Sequence, residues 1–491
     1  MKKKAIIIGS GIAGIATSIR LANKGIETHI FESNAFPGGK INSKYIDGYR
    51  FDQGPSILTC PEYIEELYKL CGEDFGTFKM AKLKSSFKYF FDDGLEILLK
   101  NDRKSIVKEI STKLDENPKQ IEKYFDKAES NYKLIAPLFI EKSLHRWKKL
   151  IGKKLIKALF HIPNYKLFKT MDQENSSLFK NKRTAQIFNR FAIYNGSHPH
   201  YAPAMLNMIS HLEINIGPYL PKGGMIQLIE SLVYLAKKQG VKFHFNEKVE
   251  KINLNKNRIL GISTKKKQYF SDFVISNMDV SLTYEKLLPN SKHPRKILAQ
   301  ERSSSAIVFY WGLDRSFDEL DVHNMIFSDQ EKDEFDSIFH KKIIPEKPYI
   351  YINISSKIVK NDAPNGCENW FVLINAPINT GQNWDNEIKV KREFIIQKMS
   401  KLLNTDIRKN IKVEEILDPR KIEDLYNSKF GSIYGNASNN RFSAFYRHPN
   451  FSKKIKGLYF VGVSVHPGGG IPLALCSAKI ATECLVEDYN L

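Results

Sequence analysis

Residues 4–32 read KAIIIGSGIAGIATSIRLANKGIETHIFE, three parts in an order that fixes the fold. Lys4 to Ile8 is a short apolar run of the kind that forms a buried parallel strand. It runs into Gly9-Ser10-Gly11-Ile12-Ala13-Gly14, then into a helix-like stretch over residues 15–25, closed by Gly25. A second strand, Glu27 to Phe31, ends at Glu32. The spacing predicts a βαβ unit with an acid roughly 20 residues beyond the glycines. Gly9 permits the tight turn, Gly11 lets the backbone approach a pyrophosphate, and Gly14 brings helix and strand close. The helix N-terminus offers free N–H groups and a partial positive charge to phosphates. Glu32 can accept both hydroxyls of an adenosine ribose. The unit predicts a dinucleotide site and leaves nicotinamide and flavin cofactors both open.

The following residues separate the two. Phe36-Pro37-Gly38-Gly39-Lys40 comes shortly after the acid, then Tyr49-Arg50-Phe51-Asp52-Gln53-Gly54-Pro55. A nicotinamide-binding domain normally continues into another helix, whereas a diglycine here lets a second backbone segment run against the phosphates and ribityl chain of FAD. Near the other end, Gly457-Leu458-Tyr459-Phe460-Val461-Gly462 reads as a further buried strand. It leads through His466-Pro467-Gly468-Gly469-Gly470-Ile471-Pro472 into a helical stretch with Leu473, Cys476, Ile480 and Cys484 on one face. Pro472 suits a first helical turn. The positive end of this helix would face a flavin ring lying over the triple glycine.

At 491 residues the chain is long enough for two or three domains. Its formal charge of +21 points either to a polyanionic partner or to a solvated lysine-rich surface. Cys60, Cys71, Cys367, Cys476 and Cys484 are scattered and form no C-x-x-C pair, which argues against a disulfide framework or a zinc site and fits a reducing cytoplasm. No metal ligands are assigned. The opening MKKKAIIIGSGIAGIA has a charged start and an apolar run, but no small-residue cleavage site follows before Arg20 and Lys24. No run reaches 18 uninterrupted apolar residues.

Together the first glycine turn with Glu32, Gly38-Gly39-Lys40, Asp52-x-Gly54-Pro55 and the closing GLYFVGVSVHPGGGIP resemble the bacterial-type phytoene desaturases, carotenoid desaturases of the flavin-containing amine oxidase superfamily. Pro221-Lys222-Gly223-Gly224-Met225, Asp272-Phe273-Val274-Ile275-Ser276-Asn277-Met278-Asp279, Phe430 to Gly435 and Phe445-Tyr446-Arg447 extend the likeness over nearly the whole chain. Residues 54–61 look closer to the 1-hydroxycarotenoid 3,4-desaturases. The resemblance implies FAD bound by Gly9, Gly11, Gly14, Glu32, Gly38, Gly39, Lys40, Gly54, Pro55, Val249, Gly462, Gly470, Ile471 and Pro472, with Val249 pairing its backbone to adenine. It implies a Rossmann-like FAD-binding domain in three segments (1–75, 218–290 and 426–491), a mixed-sheet substrate domain (291–425) and a helical, membrane-facing region (76–217).

Residues 142–169, KSLHRWKKLIGKKLIKALFHIPNYKLFK, carry Trp147, Leu150, Ile151, Leu155, Ile156, Leu159 and Phe160 at helical spacing among many lysines. That pattern predicts an amphipathic helix lying on an anionic bilayer, from whose inner face a cytoplasmic, peripherally attached enzyme would collect an acyclic carotenoid. The alternative is a core helix with a solvated lysine face. No zinc spacing or recognition-helix pattern suggests nucleic acid, and Lys265-Lys266-Lys267 reads as a solvent-exposed hairpin tip.

The expected reaction is a dehydrogenation by hydride transfer to FAD, with oxygen or a membrane quinone as final acceptor. No residue is assigned as catalytic. Asp52, His198, His200, Glu213 and His466 are possible bases, each with an equally ordinary structural reading. Two other readings stay open: a phytoene desaturase or another flavin oxidase (of amines, porphyrinogens or retinoids), and a non-enzymatic lipid carrier of the GDP-dissociation-inhibitor type.

Overall fold

The computed structural model describes residues 2–161 and 165–491. Its centre is a five-stranded parallel sheet in the order Leu458–Phe460, Phe273–Ser276, Lys4–Ile8, Glu27–Phe31, Lys242–His244. The strands come from the start, the middle and the end of the chain. Ala5 to Ile8 are all buried because both faces of the sheet are covered, which is why they read as an unbroken apolar run. The Ile12–Asn23 helix packs on one face against the Ile226–Lys238 and Ile471–Tyr489 helices. A three-stranded antiparallel sheet, Val249–Asn255, Arg258–Thr264 and Gln268–Phe270, packs on the other. Lys265 to Lys267 form its exposed turn, as expected.

The Ile471–Tyr489 helix is more buried than its one-face pattern suggested. Ala474, Leu475, Ala478 and Ala481 are buried along with Cys476, Ile480 and Cys484, while Leu473 is only partly so. Small residues let this helix lie close to the Ile12–Asn23 helix, and a helix clasped on most sides loses its amphipathic signature.

A second, seven-stranded mixed sheet runs in the order Ile411–Leu417, Ser305–Leu313, Glu368–Ala376, Ile350–Asn353, His323–Ile326, Ser85–Phe90, Glu96–Lys100. Only the pairing of His323–Ile326 with Ser85–Phe90 is parallel. The stretch after residue 76, read as helical, therefore begins with a hairpin. Asp92-Asp93-Gly94 turns it, and the period-2 alternation of Phe87, Tyr89, Ile97 and Leu99 buries one face. Beyond it, the Arg103–Leu114, Pro118–Ile135, Met171–Leu178 and Lys182–Asn189 helices gather around an aromatic core that includes Tyr124, Phe125, Phe179 and Phe188.

The single helix expected over 142–169 is broken. A 3-10 stretch spans Leu144–Leu150 with Arg146 non-helical inside it, and a separate α-helix spans Lys153–Phe160. Gly152 lies between them, and Arg146 turns inward to pair with Glu487 and Asp488. Residues 162–164, and the side chain of Leu159, lie outside the described residues. Most of the apolar side chains nevertheless face out: Trp147, Ile151, Ile156, Phe160 and Phe168 are exposed, Phe160 and Phe168 by 81% and 84%, whereas Leu150 is buried and Leu155 half-buried. Exposed Phe442, Phe445 and Tyr446 adjoin them, since the Arg441 guanidinium stacks on Phe168 and Phe445 meets Phe139.

Buried Arg50, on the Tyr49–Gln53 strand, ties that strand to the Lys360–Asp362 turn. Its Nε and Nη2 donate to Asp362 over 2.6 and 2.5 Å, and its Nη1 donates to Asp52 over 2.7 Å. Asp52 also accepts from the Met225 amide at 3.0 Å.

Candidate active site

One cavity of about 550 Å³ connects the parallel sheet to the inner face of the seven-stranded sheet. That is a size suited to a large organic ligand. Of the residues expected to bind the cofactor, all but Gly14 and Pro472 line it. Gly14 lies just behind: a Cβ there would collide with the Gly9 carbonyl, so only glycine lets the Ile12–Asn23 helix start so close to its strand. Pro472 occupies the first turn of the last helix, whose N-terminal Gly470, Ile471 and Ala474 line the cavity.

The Gly38-Gly39 segment runs beside the first glycine turn, with Gly38 N–H donating to the Ser10 carbonyl at 2.9 Å. Gly54 has a φ of +116°, and a Cβ there would collide with the Lys40 carbonyl. Side chains are thus kept out of a cradle formed by three backbone segments. Buried Glu32 closes one end. Its Oε2 accepts from the amide and hydroxyl of Ser10, both at 2.8 Å, and its Oε1 accepts from the Asn34 amide at 3.0 Å. Val249 lines the cavity near this end, at the start of its strand. Bare backbone, a helix N-terminus and a fixed carboxylate fit a flavin dinucleotide.

Lys40 departs from the local picture. Its ammonium reaches the C-terminal turn and donates to Ile433 O at 2.7 Å, Ser428 Oγ at 2.8 Å and Ser432 O at 3.3 Å. Burial pushes it down to about 8, with the charge of Asp279 acting in the other direction. Lys40 therefore places a buried cation in the cavity wall and ties the two ends of the chain together.

Asn277 carries a role that spacing alone did not reveal. With its amide oxygen turned toward the glycine turn, it accepts from Gly11 N–H at 3.1 Å and Gly14 N–H at 3.2 Å. Its position in Ser276-Asn277-Met278-Asp279, at the C-terminal end of a central parallel strand, was the signal available. Asp279, two residues on, pairs with Arg302 over 2.9 and 3.1 Å and also lines the cavity.

The far end of the cavity is apolar. Ala306, Val308 and Tyr310 alternate along one strand, facing Phe371 and Leu373 on its neighbour. None of the possible bases reaches it. Asp52 is held by Arg50. Glu213 pairs with buried Arg190 at 2.8 Å and also accepts from Tyr194. His198 and His200 lie near the Glu331–Asp336 helix. His466 bonds the Lys142 carbonyl at 2.8 Å, and burial pushes it down to about 3. No histidine lines the cavity among the described residues.

The model of the flavin containing amine oxidoreductase family matches residues 12–486. The chain is 46% identical to a 1-hydroxycarotenoid 3,4-desaturase from a Flavobacterium species, covering 99% of this chain and 100% of that one. It is 28% identical to a phytoene desaturase of Fusarium fujikuroi, over 99% and 90% of the two chains. A solved structure of a putrescine oxidase variant superposes with a TM-score of 0.64 at 13% identity, covering 99% of each chain, and shares the fold.

Proposed function

The chain belongs to the flavin containing amine oxidoreductase family and is an FAD-dependent oxidoreductase, and from that premise we propose that it introduces a C=C bond into an acyclic carotenoid, as a 1-hydroxycarotenoid 3,4-desaturase. The carrying observation is the continuity of the cavity, whose glycine-walled cradle opens directly onto the apolar sheet face of Val308, Tyr310, Phe371 and Leu373. That face suits a polyene, and the 46% identical relative gives the reading its substrate.

Bound FAD supplies a two-electron acceptor able to take hydride from carbon. The residues expected to hold it are the twelve that line the cavity, with Gly14 and Pro472 shaping the backbone behind them. Glu32 would take the ribose end, Val249 the adenine, and the helix beginning at Ile471 would offer its positive end to the flavin. The ammonium of Lys40, donating to Ser428 and Ile433, adds positive charge to the cavity wall. The apolar wall of Val308, Tyr310, Phe371 and Leu373 would hold the polyene beside the cofactor, so that orientation does most of the work. Loss of hydride to bound FAD and of the neighbouring proton to solvent would form the C=C bond, the polyene stabilising the developing positive charge. Because Asp52, His198, His200, Glu213 and His466 stand away from the cavity, none is assigned as base.

The substrate is collected from lipid. Trp147, Ile156, Phe160, Phe168 and Phe445 are exposed apolar side chains on segments rich in basic residues, which suits peripheral attachment to the anionic inner face of the cell membrane. No helix among the described residues is long and apolar enough to cross a membrane. Oxygen or a membrane quinone reoxidises the cofactor.

Pigment analysis tests the reading. The chain is expressed in cells supplying either phytoene or a 1-hydroxylated acyclic carotenoid, with Glu32→Ala as control. Longer-wavelength pigment formed only from the hydroxylated substrate is the expected result. Conversion of phytoene instead would move the assignment to phytoene desaturase.

A further inference from the structure

Away from the cavity, six side chains gather where the segment after Gly196 meets the Glu331–Asp336 helix. They form two triads, Asp172–His200–Glu331 and His198–Asp336–His340, each with donor atoms within 4.8 Å of one another.

Hydrogen bonding separates the triads. His198 Nδ1 accepts from the backbone N–H of His200 at 3.2 Å, so the proton of the neutral ring sits on Nε2, which donates to Asp336 at 3.1 Å. Lys332 also pairs with Asp336. That ring has no lone pair left to give, and its carboxylate already has a cation.

His200 has the opposite polarity. Its Nδ1 lies 3.0 Å from Asp172 and donates to that carboxylate, so that in the neutral ring the lone pair is on Nε2. This Nε2 is buried without a partner. So is Glu331 Oε1, while Oε2 of the same residue accepts from the Asn189 amide at 3.1 Å. Asn189 also donates to Asp172 at 2.9 Å, so one amide holds both carboxylates of the triad. Two unpartnered donor atoms, backed by a carboxylate that orients the imidazole, make the arrangement that metal-binding histidines use.

We propose that Asp172, His200 and Glu331 form a binding site for a divalent transition-metal ion, with His200 Nε2 and Glu331 Oε1 as direct donors and Asp172 orienting the ring. An imidazole with carboxylates suits Zn²⁺ and its neighbours, water completing the shell. The ion ties together three separated elements: the Met171–Leu178 helix, the segment bearing His200 and the helix beginning at Glu331. The site stands apart from the cavity, so it stabilises the fold and takes no part in the redox chemistry.

The test uses purified FAD-loaded protein, stripped with a chelator and titrated calorimetrically with Zn²⁺ alone. One saturable equivalent is expected, with a rise in thermal midpoint. His200→Ala and Glu331→Gln should each weaken binding at least about tenfold, and Asp172→Asn by about 10–100-fold. His340→Ala should leave it unchanged, and retained flavin shows that each variant is folded. Absence of saturable binding to the wild type overturns the proposal. So does binding that survives His200→Ala and Glu331→Gln, or that is lost in His340→Ala.

Discussion

Both hydrogens that Ser10 offers, from its amide and from its hydroxyl, go to one carboxylate oxygen of Glu32, each over 2.8 Å. The acid is thereby fixed against the glycine turn before any ribose reaches it. Glu32→Ala removes the ribose acceptor and frees Ser10, and hydrogen bonds to a charged group are worth about 1.5–3 kcal/mol. FAD affinity, read by titrating apoprotein with FAD, is expected to fall at least about tenfold. Glu32→Gln should fall less, since it keeps one acceptor. An unchanged affinity in the alanine variant would remove Glu32 from the site.

Arg50 joins Asp52, beside the first glycine segments, to Asp362, beyond the second sheet, with all three side chains buried. Arg50→Met leaves two carboxylates in the interior with no cation between them. Breaking such a buried network costs about 3–5 kcal/mol. The midpoint of urea unfolding should drop accordingly, followed by flavin release and by far-UV circular dichroism. A midpoint within error of the wild type would show that the clamp adds no net stability.

Buried histidines, His323, His448 and His466 among them, contribute to the acid limit. Burial pushes His323 and His466 down to about 3 and His448 down to about 4, from an ordinary value of 6.5. His448 is locked neutral, its Nδ1 donating to the Pro449 carbonyl at 2.7 Å and its Nε2 facing the Tyr284 hydroxyl at 3.2 Å. Below pH 6.5 the unfolded chain takes up protons that the folded chain refuses. Stability is therefore complete above about pH 6.5 and is lost as the pH falls toward 4. Each such group contributes a slope of up to about 1.4 kcal/mol per pH unit in that window. His323→Gln should flatten the acid limb of a pH series of denaturation midpoints, and an identical limb would exclude His323 as a contributor.

Phe160 and Phe168 are the most exposed of the large apolar side chains and are the expected membrane contact. Burying a phenylalanine side chain is worth roughly 1.5–3 kcal/mol. Replacing both Phe160 and Phe168 by Asp should cut sedimentation with anionic vesicles more than tenfold and leave FAD content untouched. Raising the salt concentration should weaken wild-type binding, because the lysine contribution is screened. Equal sedimentation of the two proteins would place the membrane contact elsewhere.

What could be read from the sequence is what lies close together along it. The strand, glycine turn, helix and Glu32 are set by spacings of a few residues, and the same holds for Gly470 and Pro472 at the start of the last helix. Contacts between distant residues were not legible. Lys40 was assigned by its neighbours to the cofactor, and its ammonium is held by residues almost 400 positions away. The Ser85–Phe90 strand carries a local alternation, but its parallel pairing with His323–Ile326 was not legible. Residues 142–169 kept a helical pattern although Gly152 and the inward turn of Arg146 break the helix. The five possible bases were chosen by residue type, and type says nothing about which wall a side chain faces.

The most direct test is anaerobic: flavin-loaded protein in liposomes is mixed with one equivalent of a 1-hydroxylated acyclic carotenoid, and the oxidised-flavin band is followed alongside the carotenoid spectrum. The flavin band is expected to bleach while the carotenoid absorption moves to longer wavelength, one double bond gained per flavin reduced. A flavin that stays oxidised in the presence of the carotenoid, yet bleaches with an amine, would contradict it.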